Sequence, residues 1–99
     1  MPTEPSTGLL ISGGLAEQAT QVKDNLEAVL AQFGATLDDA VMVRVYLEDF
    51  GGFDEFNALY QTWFHGPLPS RTCVGSNGLA AGAALEIDLI VGLRETEQA

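Results

Sequence analysis

Four Lys+Arg against 14 Asp+Glu give this 99-residue chain a formal net charge of −10, which disfavours nucleic acid and anionic membranes, since both require a basic surface. The length fits one domain over residues 1–99, near the lower end of what a single core supports, so association with further copies is expected. A single cysteine excludes an intrachain disulfide, no apolar run reaches membrane-spanning length, and Met1-Pro2-Thr3-Glu4 lacks the regions of a secretion signal, which together favour the cytoplasm.

In chain order, residues 1–7 read as a flexible polar tail, followed by a short buried strand at Leu9-Leu10-Ile11 that ends at Ser12-Gly13-Gly14. From Leu15 the apolar residues at 19, 22, 26, 29, 30 and 33 fall on one helical stripe, and Gly34 stands where a left-handed residue stops a helix. Residues 41–47 alternate as a strand, with Val41, Val43, Val45 and Leu47 on one face and Met42, Arg44 and Tyr46 on the other. Phe53, Phe56, Leu59, Tyr60, Trp63 and Phe64 mark a second, aromatic-rich helix that Pro67 and Pro69 prevent from continuing. Residues 71–76 and 84–93 read as two strands joined by the turn Asn77 to Ala83. The pattern β-α-β-α-β-β predicts an α+β fold, a mixed sheet with two helices packed on one face.

The chemistry concentrates in the last third. Arg71 is a scarce cation beside a proline-bounded turn, able to grip a carboxylate with two parallel bonds or to form a surface ion pair with one of many acids. Glu86 follows on a strand expected to lie beside the one that carries Arg71, where periodicity alone reads it as a solvated polar position. Asp88 faces the same way as Glu86, either solvated or acting on it by like-charge repulsion. Cys73 lacks a motif that pairs it with His65 and reads as a small core residue rather than a nucleophile. His65 has no second histidine or paired cysteine, so no metal site is expected.

The segment Pro69-Ser70-Arg71-Thr72-Cys73-Val74 followed by Leu79-Ala80-Ala81-Gly82-Ala83-Ala84-Leu85-Glu86-Ile87-Asp88 resembles the RidA (YjgF) family of reactive-intermediate deaminases. Upstream, Ile11-Ser12-Gly13, Val43 to Asp49 and Phe56-Asn57-Ala58-Leu59-Tyr60 extend the resemblance from about Gly8 to Val91. It implies a chorismate-mutase-like fold that assembles as a homotrimer with clefts between subunits. It also implies hydrolytic deamination of small enamine or imine acids (2-aminoacrylate, 2-iminopropanoate, 2-iminobutanoate) to 2-keto acids and ammonia, with no cofactor. By the same resemblance Arg71 binds the substrate carboxylate, Glu86 is the general acid/base that handles water, and Ser12, Asn57 and the Cys73 backbone line the site. Ser12 reads equally as an ordinary turn hydroxyl, and Asn57 as an amide that ties down the second helix.

Against the family pattern, the strand that precedes Leu9 and the loop before the first helix are missing, and Gly14 and Gly75 replace larger residues. A wider site follows, and water weakens electrostatic contacts there. The alternative to a hydrolase is a non-catalytic trimer that binds a small carboxylate or a protein partner at its clefts.

Overall fold

Helix α1 (Leu15–Ala31) opens where the Gly14 N–H donates to Glu17 Oε1 at 2.9 Å, which satisfies one of the unpaired amides of its first turn. It closes at Gly34, whose φ of 70° lets the Gly34 N–H reach Ala31 O and the Ala35 N–H reach Leu30 O, the bond pair of a Schellman motif. The computed structural model describes residues 2–79 and 82–92 and continues through β1 (Ala40–Leu47), α2 (Phe53–Tyr60), β2 (Ser70–Gly75) and β3 (Leu85–Val91). Residue 93, expected at the end of the last strand, and Ala80 and Ala81 of the turn lie outside the described residues.

Strand order is β2-β1-β3, with β2 parallel and β3 antiparallel to β1. The strands that carry Arg71 and Glu86 are therefore not neighbours, contrary to expectation. A parallel partner needs a crossover, which α2 supplies, and β1 then offers its remaining edge to β3.

The register settles the faces. Val43 is level with Arg71 and Leu89, Val45 with Cys73 and Ile87, and Leu47 with Gly75 and Leu85. Val43, Val45, Leu47, Leu85 and Ile87 pack with Ala19, Val22 and Leu30 of α1 and with Phe56, Tyr60 and Trp63 to form the core. Burial of each large apolar side chain contributes roughly 1.5–3 kcal/mol. Phe56 and Trp63 meet edge to face, their ring centroids 5.8 Å apart. After Tyr60 the chain tightens into a 3₁₀ turn, Gln61–Trp63, before the prolines.

Four local expectations need correction. Val41 is exposed rather than inward, because the β1–β3 register shifts between Ala40 and Met42 and the bulge turns Val41 out of the alternation. Leu9-Leu10-Ile11 is not a buried strand: Leu9 is exposed, and only Leu10 forms a bridge, with Thr3. The segment read as a tail folds back, with the Ile11 N–H donating to Pro2 O at 3.1 Å and Asn25 Nδ2 donating to Thr3 O at 2.7 Å. Along the first apolar stripe, Val29 of α1 and Phe33 in the turn beyond it are 53% and 64% exposed. A three-stranded sheet does not reach under the whole apolar stripe.

The opposite sheet face presents Ser70, Thr72 and Val74 from β2, Met42, Arg44 and Tyr46 from β1, and Glu86, Asp88 and Ile90 from β3, with Ile90 56% exposed. Among the described residues, no helix is long and apolar enough to cross a membrane.

Candidate functional site

Arg71, the second residue of β2, lies on the helix-facing side of the sheet, so its side chain meets α2. There Asn57 Oδ1 accepts from Arg71 Nη1 at 2.6 Å, and Arg71 Cζ lies 5.3 Å from the Phe53 ring centroid and 4.7 Å from that of Tyr60. Residues 53, 57 and 60 are spaced i, i+4, i+7 and share one face of α2. The other described cations behave differently: Lys23 pairs with Glu27, and Arg44 Nε and Nη2 donate to Asp88 at 2.8 and 3.0 Å. No carboxylate among the described residues lies within ion-pair distance of Arg71. In a chain with 14 acids, a half-buried guanidinium held by one amide and two rings does not match the surface ion pair that spacing alone allowed.

Glu86 stands elsewhere. It is level with Tyr46 on the opposite face, half-buried, and lines a shallow cleft of about 210 Å³ with Tyr46, Leu79, Ile87 and Asp88. Three rungs of strand and two inter-strand spacings put the two backbones roughly 10 Å apart both along and across the sheet. One copy of the chain therefore separates the two residues expected to share a substrate. Asp88, read as solvated or as a neighbour acting on Glu86, is instead the cross-strand bidentate partner of Arg44, which matches its charge locally.

Ser12 is exposed at the bend before α1. Gln18, buried at 6% exposure, fixes that bend: its Nε2 donates to Gly13 O at 3.3 Å and its Oε1 accepts from the Ala84 N–H at 2.8 Å. Gln18 thus ties that bend to Ala84, which adjoins Leu85 at the level of Leu47, whereas Arg71 is level with Val43. Cys73 shares the helix-facing side with Arg71, two residues on, and packs against the core. Burial pushes its thiol up from the usual range, opposed by the Arg71 charge, which keeps it protonated at neutral pH and fits a core residue rather than a nucleophile. Burial likewise raises the Tyr60 phenol, again opposed by Arg71, and the Tyr60 hydroxyl is buried with no hydrogen-bond partner. His65 Nδ1 meets Asp38 Oδ2 at 2.8 Å, a link between two loops.

The structure thus unites Arg71, Asn57 and Cys73 and leaves Ser12 and Glu86 at other places. The sequence reading missed Phe53 and Tyr60 as rings for the guanidinium. The available signal was a lone amide, Asn57, between two aromatics at helical spacing.

The family model described as Endoribonuclease L-PSP matches residues 1–93. A RutC family protein of Pyrococcus abyssi is 34% identical over 90 residues, covering 91% of this chain and 71% of that protein. The 2-iminobutanoate/2-iminopropanoate deaminase of Rattus norvegicus is 37% identical over 87 residues, 88% of this chain and 64% of the relative. The crystal structure of yeast Mmf1 superposes with a TM-score of 0.88 at 35% identity, covering 94% of this chain and 74% of that one. With the family match across nearly the whole chain, and both sequence and fold shared with these relatives, the chain belongs to the RidA (YjgF) family.

Proposed function

We propose that this chain is a hydrolase that converts small enamine or imine acids, such as 2-aminoacrylate and 2-iminopropanoate, to 2-keto acids and ammonia. The observation that carries this reading is Arg71, a guanidinium whose described partners are all neutral, so its charge is left for an anion. The deaminase name of the rat relative supports the reaction class.

An enamine such as 2-aminoacrylate first gains a proton at its terminal carbon and loses one from nitrogen to become the imine; water then adds to the electrophilic C=N carbon, the nitrogen takes up protons, and the resulting carbinolamine collapses to the keto acid with loss of ammonia. Atoms balance with water alone, so the reaction needs no cofactor. Arg71 holds the carboxylate while Glu86 moves protons to and from water and nitrogen. Because one copy keeps Arg71 and Glu86 on opposite faces, the proposed site is a cleft between copies in a homotrimer, with Arg71 from one and Glu86 from another. Covering the face that carries Ile90, Met42 and Tyr46 would also withdraw Glu86 from bulk water. Ser12 and the Cys73 backbone are proposed to shape that cleft.

A second reading, a non-catalytic trimer that binds a small carboxylate or a protein partner, is favoured by the separation of Arg71 from Glu86 within one copy. RNA cleavage, which the family description names, is opposed by the net charge of −10. The deciding experiment is ammonia release from freshly generated imino acids by wild type and Arg71→Ala. The hydrolase reading expects release above the buffer rate only from wild type; release at the buffer rate from both proteins, with carboxylate binding intact in wild type, selects the binder.

A further inference from the structure

Tyr60 is seven residue steps beyond Phe53 on α2, about 10 Å along the axis. A guanidinium 5.3 Å from one ring centroid and 4.7 Å from the other therefore lies in the gap between them. Asn57, midway on the same helix face, takes a hydrogen of Nη1 at 2.6 Å. Two rings cover the guanidinium and one edge is engaged, so the donors that remain for a ligand lie along the outer edge, in the guanidinium plane.

We infer that Phe53, Asn57 and Tyr60 are positioning residues that form a cradle on α2, which fixes Arg71 so that only its outer edge meets a ligand. The ligand class is then a planar carboxylate that approaches in the guanidinium plane and accepts two parallel bonds. This deepens the proposed function and rests on its assignment of Arg71 to the substrate carboxylate. It reassigns Asn57: the amide acts through Arg71 and does not touch the substrate. The rings add the second half of the device. They attract the cation without neutralising it, as a carboxylate in their place would, and they remove the rotamer freedom that a free arginine gives up on binding. Tyr60 is 1% exposed and belongs to the core, so the cradle is anchored in the buried interior.

The test uses acetate as the probe and the ¹⁵N resonances of the Arg71 side chain as the readout. In wild type, Nη1 and Nη2 give separate signals because rotation is blocked, and acetate shifts them on titration. Asn57→Ala merges the signals and weakens acetate binding about tenfold, the loss expected when a charge-assisted bond no longer holds the donor in place. Asn57→Asp, nearly isosteric and so a safeguard if the alanine variant fails to fold, keeps the signals separate but weakens acetate further, because its charge competes with the ligand. Tyr60→Leu behaves like Asn57→Ala, whereas Tyr60→Phe, which retains the ring, behaves like wild type. In an Arg71→Lys background the effect of Asn57→Ala on acetate vanishes.

Wild-type signals and affinity in Asn57→Ala, or an Asn57 effect that survives in the Arg71→Lys background, would overturn the inference. So would a wild-type Arg71 indifferent to acetate, even if imine hydrolysis proceeds. Acetate binding as described, with imine hydrolysis at the buffer rate, sinks the deaminase reading alone and leaves the cradle standing.

Discussion

Arg71 and Glu86 point to opposite faces of the sheet, from the two strands that flank β1, so a ligand held by both must touch two copies of the chain. The first expected outcome follows from that relationship together with the apolar outer face: a trimer in solution at micromolar concentration. Light scattering measures the mass directly. A monomer there would leave Glu86 remote from the Arg71 anion and would remove the two-copy site.

Glu86→Gln is expected to lower kcat for imine hydrolysis by two or more orders of magnitude, on the order of what a general acid/base contributes. Keto-acid affinity should stay near wild type, because Arg71 supplies the ground-state contact and Glu86 acts at the transition state. Paired steady-state kinetics and calorimetric titration of 2-oxobutanoate check the two halves. Equal hydrolysis rates would remove Glu86 from the reaction.

Arg71→Lys keeps the charge yet should weaken carboxylate binding by about tenfold or more, since an ammonium cannot offer two parallel bonds and stacks less well between Phe53 and Tyr60. The same titration measures this. Affinity equal to wild type would place the anion elsewhere.

Tyr60→Phe removes a buried hydroxyl that has no partner and preserves the ring contacts with Phe56, Trp63 and Phe64. Stability should rise by about 1 kcal/mol, the low end of the cost of an unsatisfied buried group. Urea denaturation of the two proteins reads the difference, and a less stable phenylalanine variant would mean the hydroxyl is satisfied in solution.

The His65 main-chain N–H, 2.9 Å from Asp38 Oδ1, and then the His65 ring hold the Asp38 carboxyl below its ordinary value. A depressed folded-state value makes this contribution present above the unfolded Asp range and lost as pH falls through the lower, folded one. Asp38→Asn should therefore lower the melting temperature slightly at pH 6–7, with the gap closing as pH drops below about 4, near the unfolded aspartate value. Both groups are surface-exposed in part, which keeps the effect small. A gap that persists unchanged at pH 3 would exclude the ionised carboxylate as its source.

Apolar periodicity made α1, β1, α2, β2 and β3 legible in the sequence, with glycine or proline marking several of the ends: Gly14 and Gly34 around α1, Pro67 and Pro69 after α2. Arg71 and Glu86 were singled out by the resemblance of the last third to the family's ordered motifs, not by periodicity. What the sequence could not set was which strands pair. Alternation within β2 and β3 is satisfied equally whether they lie together or flank β1, and only the crossover through α2 and the shared core decide that β1 is central. The same holds for Val41, whose outward turn comes from a register shift against Val91 and Ile90 that no single strand encodes. Tertiary structure likewise decided the surroundings of Arg71: spacing put Phe53, Asn57 and Tyr60 on one helix face, but only the packing of α2 against the sheet brought that face to the guanidinium, 14 residues from Asn57 along the chain.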